Sequence, residues 1–121
     1  MGGVVTDRYR DVRHQLIRLL QQGRFTLPKF REMPYDWRPE QVINPADGQP
    51  FTRRGAWHFI QERLEAGCTI EGVILDIPPG KAAYAIVLDV GKDNPDLYVK
   101  VQLGSGFVIG RSFHYSTRPV R

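Results

Sequence analysis

A chain of 121 residues, 41% hydrophobic and 25% charged, has the size and balance of one soluble globular domain. Its formal charge of +4 permits a nucleic-acid partner without establishing one, and the excess lies in residues 1–56, which carry ten Lys/Arg against six Asp/Glu. No apolar run approaches the roughly 18 residues of a membrane span, Asp7 to Arg13 is too charged for a secretory leader, and the single Cys68 cannot close an internal disulfide, which together favour the cytoplasm.

Residues 7–22 form the first predicted element. Val12, Leu16, Leu19 and Leu20 recur at helical spacing, Ile17 widens the stripe, and Gly23 follows as a stop. Arg8, Arg10, Arg13 and Arg18 fall mostly off that stripe and read first as a solvated face. From Phe25 to Phe51 the periodicity is lost, with Pro28, Pro34, Pro39, Pro45 and Pro50 as punctuation and turn signals at Asn44-Pro45 and Asp47-Gly48. Phe30, Tyr35, Trp37 and Phe51 are too apolar for a free linker, so residues 25–51 read as an ordered arm packed by its aromatics.

Thr52 is suited to N-cap a second helix with the stripe Ala56, Phe59, Ile60 and Leu64, and Gly67 is its stop. Trp57 and His58 are neighbours and cannot both face inward, so His58 is assigned to the surface. Thr69 to Ile77 is a short β-branched strand ending at Pro78-Pro79-Gly80. Lys81 to Val90 is apolar nearly throughout, as in a strand covered on both faces, and Gly91 to Asp96 is a polar turn. The order predicts a single α+β domain: two helices and an ordered proline-rich arm packed on a small antiparallel sheet of about four strands, with residues 52–116 as its core.

The end of the chain carries the most information. Leu97 to Leu103, then Gly104-Ser105-Gly106, then Phe107 to Ser116 reads as a β-hairpin. Alternation puts Leu97, Val99, Val101 and Leu103 on one face and Tyr98, Lys100 and Gln102 on the other. If the three turn residues form the loop, Leu103 faces Phe107 and Tyr98 falls opposite Ser112. The polar face then holds Tyr98, Lys100, Ser112 and His114: a phenol, an amine, a hydroxyl and an imidazole without a carboxylate, which suits a phosphate ester. Arg111 falls on the core side in this register, unless a bulge or a sheet margin redirects it.

Other chemistries lack their residues. Pro78-Pro79-Gly80-Lys81 has no phosphate-loop spacing and precedes a strand. Gly104-Ser105-Gly106 is a turn within a hairpin, the histidines at 14, 58 and 114 are far apart in sequence, and no Gly-x-Ser-x-Gly elbow occurs. No metal or other cofactor is expected.

Helix 53–66 ending in Ala66-Gly67, Lys81 on a strand, Leu97-Tyr98-Val99-Lys100-Val101, and terminal Ser112-Phe113-His114 together resemble the MqsR-like messenger-RNA interferases. These are toxins of bacterial toxin–antitoxin pairs within the broader RelE-like ribonuclease fold. The resemblance spans about residues 53–116 and implies a metal-independent endoribonuclease that cleaves RNA by attack of a 2′-hydroxyl, with a cognate antitoxin or inhibitor as partner. It matches Lys81 to the early catalytic lysine and Tyr98 to the strand tyrosine. His114 stands where the family has lysine and can itself transfer protons. The implied catalytic set is His114, Lys81 and Tyr98, with Lys100, Arg111, Ser112 and Tyr115 toward the substrate.

Two other readings compete. A non-catalytic binding module, such as an immunity or accessory protein, would work through the aromatics Phe30, Tyr35, Trp37 and Phe51. A nucleic-acid binder would use the arginine-rich helix 7–22, with affinity falling steeply in salt.

Overall fold

The computed structural model describes residues 8–28, 36–76 and 79–116. Two helices, α1 (Arg10–Gln21) and α2 (Arg53–Glu65), pack on a sheet of β1 (Phe25–Thr26), β2 (Glu71–Ile74), β3 (Ala82–Leu88), β4 (Leu97–Leu103) and β5 (Val108–Tyr115). The fold is α+β. The sheet has five strands in the order β1-β5-β4-β3-β2, and β1 runs parallel to β5, so it is mixed rather than four-stranded and antiparallel. The added strand is too short to carry a period. Phe25 and Thr26 pair with Val108 and Ile109, and the Val108 amide donates to the Arg24 carbonyl at 2.9 Å.

Local chemistry sets the helix limits. Thr52 caps α2 by accepting from the Gly55 amide at 2.9 Å. Gly67, at φ +89°, turns the chain out of α2 through a region that costs an L side chain strain. Arg13 of α1 then ties the two helices together. Its Nη1 donates to the Leu64 carbonyl at 3.1 Å and its Nη2 to the Cys68 carbonyl at 2.7 Å, meeting the negative end of α2. His58 is exposed, 3.3 Å from Glu62, while Trp57 is buried.

One core joins Leu16 and Leu20 of α1, Ala56, Trp57, Ile60 and Leu64 of α2, and Leu97, Val99, Val101, Val108 and Phe113 of the sheet. Each large side chain buried there contributes about 1.5–3 kcal/mol relative to exposure. Trp37 and Phe51 of the arm belong to this core, whereas Phe30 and Tyr35 lie outside the described residues. Trp37 sits 4.7 Å from Trp57 and 5.5 Å from Phe113 between ring centroids, and Phe51 sits 5.1 Å from Phe113. Strand β3 is less covered than its composition predicts, since Val87 is 55% exposed on the face away from the helices.

The terminal hairpin forms in a different register. Leu103 pairs with Val108, Lys100 with Ser112 and Tyr98 with His114. Phe107 joins the turn, 42% exposed, because its carbonyl accepts from the Gly104 amide at 2.8 Å. That one-residue slip turns Val108 into the core and Ile109 out of it. A bulge opposite Lys100/Val101 then leaves Arg111 as the extra residue and restores the phase, so Phe113 is inward and Ser112 and His114 are on the polar face.

Candidate functional site

Strands β4 and β5 bring four of the singled-out residues together. Tyr98 and His114 are paired across the strands, with ring centroids 5.6 Å apart and planes at 36°. Lys100 and Ser112 form the next pair on that face. Tyr98, Lys100 and His114 are half-buried and reachable, whereas Ser112 is 2% exposed and serves packing.

The His114 Nδ1 lies 2.8 Å from the Tyr115 carbonyl oxygen. A carbonyl can only accept, so Nδ1 carries the hydrogen and Nε2 keeps the lone pair in the neutral ring. This is the arrangement of a positioned base.

Arg111 and Tyr115 have other work. The bulge aims Arg111 at Gln102, whose Oε1 accepts from Nε at 3.0 Å and from Nη2 at 2.7 Å, and the arginine is 6% exposed. Its charge thus lies beneath the surface, beside Ser112. The Tyr115 hydroxyl accepts from the Ile43 amide at 3.0 Å, fastening the arm to the end of β5.

Lys81 stands apart. It immediately precedes β3, six residues along the chain from Val87, which pairs with Tyr98. At about 3.3 Å per residue, that places it roughly 20 Å down the sheet from the Tyr98–His114 pair.

The arm supplies what the hairpin reading lacked. Segment 36–38 runs beside the C-terminal half of β5: the Phe113 amide donates to the Asp36 carbonyl and the Arg38 amide to the Phe113 carbonyl, both at 2.8 Å. Trp37 points into the core, so alternation turns Asp36 and Arg38 the other way. They meet His114, Tyr115, Gln41 and Val42 around a cleft of about 290 Å³. The polar surface around His114 therefore has a carboxylate, contrary to the expectation from the hairpin alone. Asp36, Arg38 and Gln41 were missed because their signal is one polar–apolar–polar step, Asp36-Trp37-Arg38, inside a segment without period.

The rival surfaces lose members to the fold. Trp37 and Phe51, half of the proposed aromatic surface, are buried. Of the helix arginines, Arg13 is committed to the Leu64 and Cys68 carbonyls, while Arg10 and Arg18 are exposed. Among the described residues no helix is long and apolar enough to cross a membrane. No family model, curated protein or solved structure matches this chain.

Proposed function

We propose that the face bearing Tyr98, Lys100 and His114 binds RNA and cleaves it without a metal, by attack of a 2′-hydroxyl on the adjacent phosphate. The observation that supports this most is the His114 ring itself, tilted against Tyr98 with Nδ1 held by the Tyr115 carbonyl and Nε2 left to take a proton. In the proposed step Nε2 takes the 2′-hydroxyl proton, the 2′-oxygen bonds to phosphorus, and the bond to the 5′-oxygen breaks. The products are a 2′,3′-cyclic phosphate and a 5′-hydroxyl, the latter protonated by the Tyr98 phenol. Lys100, the next residue along the face, neutralises the charge of the phosphorane. Lys81 has no part in this step, since it lies at the far end of the sheet. A cell making such an enzyme needs it restrained, so a cognate antitoxin or other inhibitor protein belongs to the same proposal.

The test is incubation of the purified chain and His114→Ala with a long single-stranded RNA and with its DNA counterpart. The expected result is RNA cleavage ending in cyclic phosphate, intact DNA, and a loss of roughly 100- to 10,000-fold in the variant with an unchanged melting curve. Equal cleavage by both proteins, cleavage of the DNA, or no cleavage by the wild-type chain would each refute the proposal.

A further inference from the structure

The His114 ring sits one residue before the end of β5, where a strand ordinarily frays, yet its Nδ1 has a well-placed acceptor. Backbone groups of alternate residues on a strand point to the same edge, so the Tyr115 carbonyl lies on the edge of β5 that the arm covers at Phe113. A parallel ladder continued by two residues would bring the Glu40 amide to that carbonyl. Pro39 prevents this by opening the short helical turn Pro39–Gln41, which carries the arm out of register once the Arg38 amide has met the Phe113 carbonyl. The Tyr115 carbonyl is thereby left to the side chain of its own neighbour, and His114 Nδ1 reaches it at 2.8 Å.

Two bonds hold that acceptor in place. The Tyr115 carbonyl and the Ser116 N–H belong to one planar peptide and point in opposite directions. Toward β4, the Ser116 amide donates to the Asp96 carbonyl at 2.6 Å, just beyond the last ladder pair, Leu97 with Tyr115. Toward the arm, the Ile43 amide donates to the Tyr115 hydroxyl at 3.0 Å. Hydrogen bonds linked through a shared peptide polarise one another, so the Asp96 contact makes the Tyr115 carbonyl a stronger acceptor for Nδ1–H. A neutral histidine in water favours the hydrogen on Nε2, and a fixed acceptor at Nδ1 reverses that preference.

We propose that the Tyr115–Ser116 peptide is the positioning element for His114: it holds the ring in the Nδ1–H tautomer, and its own orientation is set by the Asp96 carbonyl and the Tyr115 phenol. Its part in cleavage rests on the proposed RNA reaction. The tautomer, however, is a property of the free protein and is read without RNA.

Ser116→Pro deletes the N–H that donates to Asp96 and keeps the Tyr115 carbonyl. Proline also favours extended backbone in the residue before it, which Tyr115 already has as the last residue of β5. Ser116→Ala keeps the N–H and is the matched control. Nitrogen-15 NMR spectra at about pH 8.5, above the usual histidine range, show which ring nitrogen carries the hydrogen. Exposed His14 supplies the solvent reference, and His114→Gln identifies the His114 signals by their loss.

Wild type and Ser116→Ala should carry the hydrogen on Nδ1, and Ser116→Pro should return toward the His14 pattern. RNA cleavage by Ser116→Pro should fall about 10- to 100-fold relative to Ser116→Ala, as when an outer hydrogen bond to a functional histidine is lost. If Ser116→Pro fails to fold, Tyr115→Phe removes the tether on the arm side, and the same change of tautomer is expected of it. Hydrogen on Nε2 in the wild-type protein, or an Nδ1–H ring retained in the folded variant, overturns the proposal. An Nδ1–H ring that responds to these substitutions in a protein that cleaves no RNA upholds the positioning element and refutes the reaction alone.

Discussion

Gly110→Ala tests how tightly the arm is fitted to the sheet. Strand β5 carries glycine where the Trp37 ring crosses it: a Cβ at position 110 would lie 2.8 Å from Cζ3 and 2.9 Å from Cε3 and Cη2 of that ring. Carbon atoms prefer separations of about 3.5–4.0 Å, so each of the three contacts falls short by roughly 0.6–1.2 Å. Trp37 cannot yield easily, since Trp57 and Phe113 stand against it at ring-centroid distances of 4.7 and 5.5 Å. Overpacking of this kind costs about 1–3 kcal/mol. For a domain of this size that is a fall in Tm of roughly 3–15 °C. Circular dichroism melts of Gly110→Ala, Trp37→Phe and the double variant supply the cycle. The double variant should be less destabilised than the sum of the singles by about 0.5 kcal/mol or more, because the smaller ring removes the clash. Additive effects, or a Gly110→Ala protein as stable as wild type, would refute the reasoning. If the proposed cleavage holds, the same variant should also impair it at temperatures where the protein stays folded, because displacing Trp37 disturbs Phe113, which it pairs with, and so the neighbouring His114.

Lys81→Ala should cleave RNA at the wild-type rate, since the lysine lies roughly 20 Å from the Tyr98–His114 pair; a loss beyond tenfold would return it to the mechanism. Arg13→Gln should cost about 2 kcal/mol by releasing two carbonyls at the end of α2, read as a lower urea midpoint with unchanged m-value. Burial lifts the Cys68 thiol above its ordinary value of 9.0, with the Arg13 charge pulling the other way. The unfolded thiol therefore ionises first, so its contribution to stability is complete below pH 9.0 and is lost as pH rises beyond it. Melting curves between about pH 7 and 10.5 should fall more steeply for wild type than for Cys68→Ala, and parallel curves would contradict the assignment.

How far the sequence could be read depends on where each element keeps its information. Helix α2 was legible because its limits are local: Thr52 binds the Gly55 amide three residues away, and Gly67 turns the chain at its other end. Strand β4 was legible because Leu97, Val99, Val101 and Leu103 alternate cleanly with polar neighbours. The return strand does not alternate. Phe107, Val108 and Ile109 are all apolar, so either phase buries a hydrophobic set, and periodicity alone cannot choose between them. The turn geometry decides, and the bulge at Arg111 corrects the phase afterwards. Two departures from the simple pattern thus cancel before the chain reaches His114, which is why its face was anticipated while its partner was not.

The arm is the opposite case, since its order comes from residues distant in sequence. Phe25 and Thr26 find Val108 and Ile109, and Trp37 finds Phe113, all through parallel pairing that no local motif announces. Both contacts lie on the same outer edge of β5, one on each side of the bulge. An uncovered edge there would present unpaired amides and carbonyls to any passing strand. The arm covers it with its backbone, fills the core with Trp37, and so has Asp36 and Arg38 left to face His114. Packing and the composition of the cleft thus follow from one three-residue segment, so Trp37→Ala should lower the melting temperature by removing a buried ring, whereas Asp36→Asn, at an exposed position held by backbone bonds, should leave the melting curve unchanged.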